Sequence, residues 1–181
     1  EISLNPSSYK NEYELNKAIE KWIDENVGSL ENVNKKTWTT EQKSFVKTYS
    51  GYGGLGKFGD LGIGGVFEFY TPIKVIEKMW ALAYKYGYSS DGSILETSAG
   101  TGEFLQFAKP DTRQLAYEIS EYSSVICKML YPTAEVLNSA FERRFIKNNF
   151  TIKDHTEKLE KFDLVIGNPP YGNFERLDSV A

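Results

Sequence analysis

The residues of this 181-residue chain that are best suited to take part in a reaction lie in the stretch DLVIGNPPYG, Asp163 to Gly172. Its short apolar run predicts a buried strand that leads directly into Asn168. Pro169 and Pro170 cannot donate hydrogen bonds to a strand ladder, so the strand must end there. A stiff loop then holds Asn168 and Tyr171 outward at the carboxyl end of a strand, which is where open α/β sheets bind their ligands.

A second stretch, ETSAGTGEF, is a turn of small residues after another predicted strand. Its Ser98, Ala99, Gly100 and Gly102 let a ligand approach the backbone closely, and the start of a following helix offers unpaired N–H groups. A dinucleotide fingerprint requires a third glycine where this chain has Leu105, and no Gly-Lys-Ser/Thr triplet follows. The turn indicates a nucleotide-like ligand and disfavours a nicotinamide or flavin pyrophosphate.

Two carboxylates are predicted to face the same crevice. Glu118 ends the strand QLAYE eighteen residues after Gly100, close to the spacing of about 20 at which an acid meets ribose hydroxyls in this fold class. Glu96 ends the strand before the glycine turn. Two acids suit a ligand that carries positive charge, such as a sulfonium with an amino group. The alternative is that Glu118 only caps the helix that begins at SEYSS.

The elements that must position these residues alternate from residue 66 onward. TPIKVIEKMWALAYKYG predicts a helix with Thr71 as N-cap and Pro72 at its first position. A short strand follows over Ile94 and Leu95, and the glycine turn leads into a helix that Pro110 ends. Further strands are predicted in QLAYEIS, AEVLNSAF and KFDLVIGNPP. This order predicts an α/β fold with four parallel strands, part of a doubly wound, Rossmann-like sheet with right-handed crossovers.

The chain before this sheet divides into two parts. Residues 1–50 are predicted to be helical, because YKNEYELNKAIEKWIDENVGS has an apolar face that Gly28 can close, and TTEQKSFVKTYS has a capped start near Thr40. Residues 51–65 carry glycine at nearly every second position, at a cost of roughly 0.5–1 kcal/mol per interior glycine in a regular element. We interpret 51–65 as a linker, with a lid over the crevice as the alternative, and 66–181 as the sheet domain.

Composition limits the classes of function. One cysteine, Cys127, excludes an internal disulfide framework, and one histidine, His155, excludes most zinc sites, so no metal is expected. No apolar run approaches the about 20 residues that span a bilayer, so we expect a cytoplasmic protein without a membrane partner. The net charge of -4 argues against nucleic-acid binding over the whole surface. A local basic patch stays open.

Four motifs together resemble those of a known family. NPPYG after an apolar strand, ILETSAGTGEFL as the glycine turn, YEIS after the second strand and FYTP before the first helix are similar to S-adenosylmethionine-dependent DNA methyltransferases that modify the amino group of adenine. The order, with FYTP ahead of the glycine turn, resembles the gamma arrangement of that family. The resemblance covers Phe67 to Gly172. NPPY alone also occurs in glutamine and RNA-guanine methyltransferases.

The resemblance implies a site for S-adenosylmethionine. Tyr70 and Thr71 would contact its methionine end. Glu96 and the glycine turn would surround its amino acid and sulfonium, and Glu118 would hold the ribose hydroxyls. Ile119 and Phe141 would enclose its adenine. The implied cofactor-binding residues are Tyr70, Thr71, Glu96, Ser98, Ala99, Gly100, Gly102, Glu118, Ile119 and Phe141.

The resemblance also assigns the reaction site to Asn168, Pro169, Pro170 and Tyr171. An adenine amino group is a poor nucleophile because its lone pair is delocalised into the ring. The Asn168 side-chain oxygen and the Pro169 carbonyl can accept its two hydrogens and favour a tetrahedral nitrogen, so no strong base is required. Tyr171 offers a face on which an extruded base can stack, and the prolines fix the loop that holds both.

The chain departs from the family pattern after the third strand. Family members carry an acid there that binds the cofactor's adenine, whereas LNSAF places Ala140 at that position. Asn138 or Ser139 would then substitute. The family also continues with three more strands and a target-recognition domain. We therefore expect the catalytic N-terminal part of a longer restriction-modification or mobile-element protein, inactive alone, which meets double-stranded DNA through a domain outside this chain.

Other readings stay open at this point. The fourth strand should be an exposed edge, covered by self-association with a second copy or by the N-terminal helices. A protein-glutamine or RNA methyltransferase shares NPPY but normally lacks the FYTP segment. A non-catalytic scaffold that binds cofactor or DNA is the reading suggested by Ala140.

Overall fold

The computed structural model describes residues 2–51, 70–147, 151–152 and 160–169. Pro170, Tyr171, His155 and nearly all of the glycine-rich stretch lie outside these ranges, so the predictions made for them are not addressed by the structure. The helices are α1 (Glu12–Asn26), α2 (Thr40–Val46), α3 (Ile73–Lys85) and α4 (Glu121–Leu130). The strands are β1 (Ile94–Glu96), β2 (Gln114–Glu118), β3 (Glu135–Asn138), β4 (Ile146–Lys147), β5 (Thr151–Ile152) and β6 (Leu164–Val165).

Four strands form one parallel sheet in the order β3-β2-β1-β6, and β4 pairs with β5 in a separate antiparallel hairpin. Sequential strands connected by helical segments and paired in parallel are the mark of a doubly wound α/β fold. The predicted fold class, with its four parallel strands, is confirmed. Because all four strands run the same way, their carboxyl ends meet at one edge.

The centre of the sheet is buried on both faces. Every residue of β1 and β2 is buried, as expected for parallel strands with layers on both sides. Ile94 and Ala116 pack in one cluster with Trp80 of α3. Leu95 and Leu115 belong to a smaller cluster on the other side of the sheet.

The N-terminal helices pack on α4. Asn11 begins α1 by accepting the Glu14 N–H at 2.9 Å, and Thr39 begins α2 through a capping box with Gln42. The cap of α2 is therefore Thr39, one residue before the predicted Thr40. A single apolar cluster joins α1 and α2 to α4; its members include Ile19, Trp22, Ile23, Phe45, Val46, Val125, Ile126 and Met129.

The strand β6 lies at the edge of the sheet opposite β3. Among the described residues it pairs with β1, and Val165 is 61% exposed. The prediction of a buried strand is thus wrong for Val165, because no neighbouring element in the described ranges covers its side chain. The N-terminal helices contact α4, which lies over β2 and β3.

Two local predictions are also wrong. The N-cap of α3 is Pro72, whose ψ of 136° keeps it outside the helix, so Thr71 precedes the cap. The segment after the glycine turn, Glu103–Phe107, is a short 3-10 helix that ends before Pro110. Two of its carbonyl groups accept hydrogen bonds from side chains. Trp80 Nε1 donates to the Phe104 carbonyl at 2.9 Å, and Gln106 Nε2 donates to the Glu103 carbonyl at 2.7 Å.

In the described part of the chain, no helix is both long enough and apolar enough to cross a bilayer.

Candidate active site

The carboxyl edge of the sheet brings the three sequence motifs together. The glycine turn follows β1, Glu118 ends β2, and Asn168 follows β6. The strand β1 lies between β2 and β6 and pairs in parallel with both. The glycine turn therefore lies between Glu118 and Asn168 along this edge.

Two glycines of the turn have backbone conformations that favour glycine. Gly100 has φ 55° and Gly102 has φ 91°. The Tyr70 ring lies on Gly100, where an added Cβ would be 3.0 Å from Cε1. Gly102 lies on Cys127 and Tyr131, where an added Cβ would come within 2.8 Å of Sγ and 2.7 Å of Cε2. The turn is therefore shaped by both backbone and packing.

We expect Gly102→Ala to lower the free energy of unfolding by about 2–5 kcal/mol, because left-handed strain of about 1–2 kcal/mol adds to an overpacking cost of about 1–3 kcal/mol. The matched control is Gly87→Ala, at φ 101° with nothing within 4 Å of an added Cβ, which should lose only the strain contribution. Urea unfolding of both variants gives the difference. Equal losses would contradict the packing role of Gly102.

Glu118 is 8% exposed and is oriented by two backbone groups. Its Oε2 accepts the Gly100 N–H at 2.6 Å, and its Oε1 accepts the Ser120 N–H at 2.7 Å. The alternative that Glu118 only caps α4 is wrong, because the side chain of Ser120 caps that helix. An ionised carboxylate has about four acceptor positions, so Glu118 can also accept from hydroxyl groups of a ligand.

Glu96 is completely buried, and its Oε2 has no hydrogen-bond partner among the described residues. Burial raises the pKa of the Glu96 carboxyl well above its usual value; the Ser98 N–H lowers it, and the Glu118 charge raises it. Gly167 lies directly against this carboxyl group, and a Cβ added there would overlap Glu96 Oε1. A buried acid with an unsatisfied oxygen is costly without a partner, and a cation would satisfy it.

The raised pKa of Glu96 predicts a pH dependence of stability. Its contribution is fully present below the unfolded value of 4.5 and is lost as pH rises toward the folded pKa. Glu96→Gln keeps the shape without a proton to lose. The melting temperature of Glu96→Gln relative to that of the wild type should therefore increase as pH rises above 4.5 toward the folded pKa of Glu96. Glu121→Gln, an exposed acid on α4, is the control, and parallel pH profiles for wild type and Glu96→Gln would contradict the prediction.

The loop after β6 is attached to the glycine turn. Ser98 Oγ donates to the backbone carbonyl of Asn168 at 3.1 Å. Asn168 is half-buried and Pro169 is exposed. The structure thus brings the predicted reaction loop beside the predicted cofactor turn.

The structure also describes the surroundings of the other residues predicted to contact the cofactor. The Tyr70 hydroxyl is 3.5 Å from Ser123 Oγ, and the Thr71 hydroxyl is buried without a hydrogen-bond partner in the described part of the chain. Ile119, directly after Glu118, is 61% exposed. Phe141 packs edge-on against Tyr117, with ring centroids 5.4 Å apart, and its role beside Ile119 stays a prediction.

Sequence reasoning missed the role of Asn138. Its Nδ2 donates to the carbonyl groups of Glu118 and Ile119, both at 3.0 Å. Asn138 is the register partner of Glu118, so β3 helps to hold the turn that carries the acid. Only the pairing of β2 with β3 could have indicated this contact. Because the Asn138 side-chain nitrogen donates to these two backbone carbonyl groups, only the side-chain oxygen could replace the acid that family members use to bind the cofactor's adenine.

A parallel sheet of this order, with a glycine turn and two acids at its carboxyl edge, defines a Rossmann-like fold of the methyltransferase type. The chain belongs to the Eco57I restriction-modification methylase family, whose model matches residues 76–180. This confirms the resemblance to a family related to adenine-type DNA methyltransferases.

Two relatives extend the comparison. The chain is 35% identical over 148 residues to Defense against restriction protein B of Escherichia phage P1, a match that covers 82% of this chain and 6% of that protein. It is 30% identical over 106 residues to Modification methylase CviBIII of Paramecium bursaria Chlorella virus NC1A, covering 57% of this chain and 25% of that protein. The chain therefore spans a small part of each relative.

Proposed function

We propose that this chain supplies the cofactor site and the reaction loop of an enzyme that methylates the exocyclic amino group of adenine in DNA, with S-adenosylmethionine as the methyl donor. One observation carries the proposal: a buried acid with an unsatisfied oxygen, Glu96, lies directly beside the loop that presents Asn168. A cationic ligand and an amino-bearing substrate would meet at that place.

The residues present fit the cofactor. Glu96 Oε2 would bind its ammonium group, which supplies the missing partner of a buried acid. Glu118, already oriented by two N–H groups, would accept from the ribose hydroxyls. The buried Thr71 hydroxyl would bind at the methionine end. When bound, the cofactor would supply a methyl group on a sulfonium for transfer to the amino nitrogen, which would leave a neutral thioether and a proton that passes from the nitrogen to water.

The protein's own part in the reaction is to orient the amino group. The Asn168 side-chain oxygen and the Pro169 carbonyl would accept its two hydrogens, so that the nitrogen lone pair points toward the methyl group. Pro170 and Tyr171 would complete the loop, with the tyrosine ring stacked on a base taken out of the duplex. Double-stranded DNA would be held by a recognition domain outside this chain, and β6 would pair with a further strand or a second copy.

Transfer of tritium from labelled cofactor tests the proposal in the full-length protein. Label should enter duplex DNA that contains adenine, and hydrolysis should release it as methylated adenine. Label in RNA or in protein glutamine would identify the alternative methyltransferases instead.

A non-catalytic scaffold is the second candidate, because Ala140 stands where the family has an acid. The phage P1 relative is named for defence against restriction, which a scaffold or a methyltransferase could both provide. Calorimetric binding of cofactor or DNA without transfer of label would favour the scaffold.

A further inference from the structure

We propose that Ser98 is a positioning residue that orients the reaction loop, a role different from the cofactor contact that the resemblance implies. Its Oγ donates to the Asn168 carbonyl at 3.1 Å, across 70 residues of sequence. That carbonyl belongs to the peptide bond between Asn168 and Pro169. The inference rests on the proposed function, because it concerns the two acceptors of that loop.

The contact fixes a specific peptide plane. The Asn168 carbonyl oxygen and the Pro169 nitrogen are held in one plane by resonance, and the ring of Pro169 restricts its own φ. A hydrogen bond to this carbonyl therefore restricts the position of the Asn168 Cα, from which the side chain extends, and the direction of the Pro169 carbonyl. Both proposed acceptors depend on this one plane, and small displacements of reacting groups reduce rates strongly.

Ser98 also contacts the cofactor side of the site. Its N–H donates to Glu96 Oε1 at 3.4 Å, and the same oxygen lies against Gly167. The backbone N–H of Ser98 thus donates to Glu96, the acid proposed to bind the ammonium group, and its hydroxyl donates to the reaction loop. A ligand at Glu96 and a base at Asn168 would be set at a defined distance through a single residue.

The chain contains a matched control at the other end of the same strand pair. Ser93, just before β1, donates from Oγ to Asp163 Oδ2 at 2.8 Å, just before β6. Both serines therefore connect β1 to β6 by a hydroxyl group, one at the amino edge of the sheet and one at the carboxyl edge. Loss of either removes a connection between strands, but only loss of Ser98 releases the reaction loop.

The test measures single-turnover methylation of an adenine-containing duplex by the full-length protein, with calorimetry for S-adenosylmethionine. Ser98→Ala should slow transfer about tenfold at saturating cofactor, while cofactor affinity stays within about twofold. Ser98→Thr keeps the hydroxyl and should recover most of the rate. Ser93→Ala should melt at a lower temperature yet transfer at a rate within about twofold of the wild type.

Four results overturn the inference: a normal rate in Ser98→Ala, an equal loss in Ser93→Ala, no recovery in Ser98→Thr, or a Ser98→Ala defect confined to cofactor affinity. The last would return Ser98 to the cofactor contact. A wild-type protein that transfers no label contradicts the proposed function itself, and is distinguished from failure of the inference by that measurement.

Discussion

Replacing Asn168 by Ala in the full-length protein is expected to lower the rate of methyl transfer by about 10²–10³-fold, the usual loss when one preorganised polar contact to a reacting centre is removed. The side-chain oxygen is needed mainly as charge develops on the amino nitrogen, so the loss should appear in the chemical step. The backbone carbonyl of Asn168, which accepts from Ser98, is kept in this variant. Cofactor binding should therefore change little.

Single-turnover methylation of an adenine-containing duplex measures this effect. Asn168→Asp keeps a side-chain acceptor and should retain more activity than Asn168→Ala. Calorimetry with S-adenosylmethionine on both variants checks that the site is intact. A near-normal rate for Asn168→Ala would mean that this residue only ends the strand.

Glu118→Ala is expected to weaken binding of S-adenosylmethionine by about one to two decades, because removal of a charged acceptor costs about 1.5–3 kcal/mol. The structure adds a second reason for the loss. Glu118 holds the Gly100 N–H at 2.6 Å, so the variant also releases the glycine turn against which the ligand would lie.

Calorimetry on the full-length protein measures the change in affinity. Glu121→Ala removes an exposed acid three residues away and serves as the charge-matched control, for which affinity should be unchanged. If Glu118→Ala binds as tightly as Glu121→Ala, the assignment of the ribose site to Glu118 is wrong.

The sheet could be predicted from the sequence because its signals are local. Short apolar runs, small-residue turns and helices with one apolar face each specify an element and its neighbours. Glu96 and Glu118 were placed correctly at the carboxyl edge because each ends a predicted strand, and parallel strands end together. The same logic brought Asn168 to the glycine turn.

The details that could not be predicted depend on contacts between distant segments. The helix expected after Gly102 is a 3-10 segment whose Phe104 carbonyl accepts a hydrogen bond from Trp80, 24 residues earlier in the sequence. The backbone contacts of Asn138 depend on the register between β2 and β3. Thr71 precedes the cap of α3 because of a backbone angle at Pro72 that residue preferences do not specify.

The close approach of Gly167 to Glu96 has a consequence for anyone transplanting this loop into another protein. A methyl group added at this glycine would occupy the space of Glu96 Oε1, so the carboxyl group at the end of β1 would have to move. The two positions form one steric unit although 71 residues separate them in the sequence. A host scaffold with the shorter aspartate could accept alanine before the asparagine directly, whereas a host with glutamate would have to move its carboxyl group.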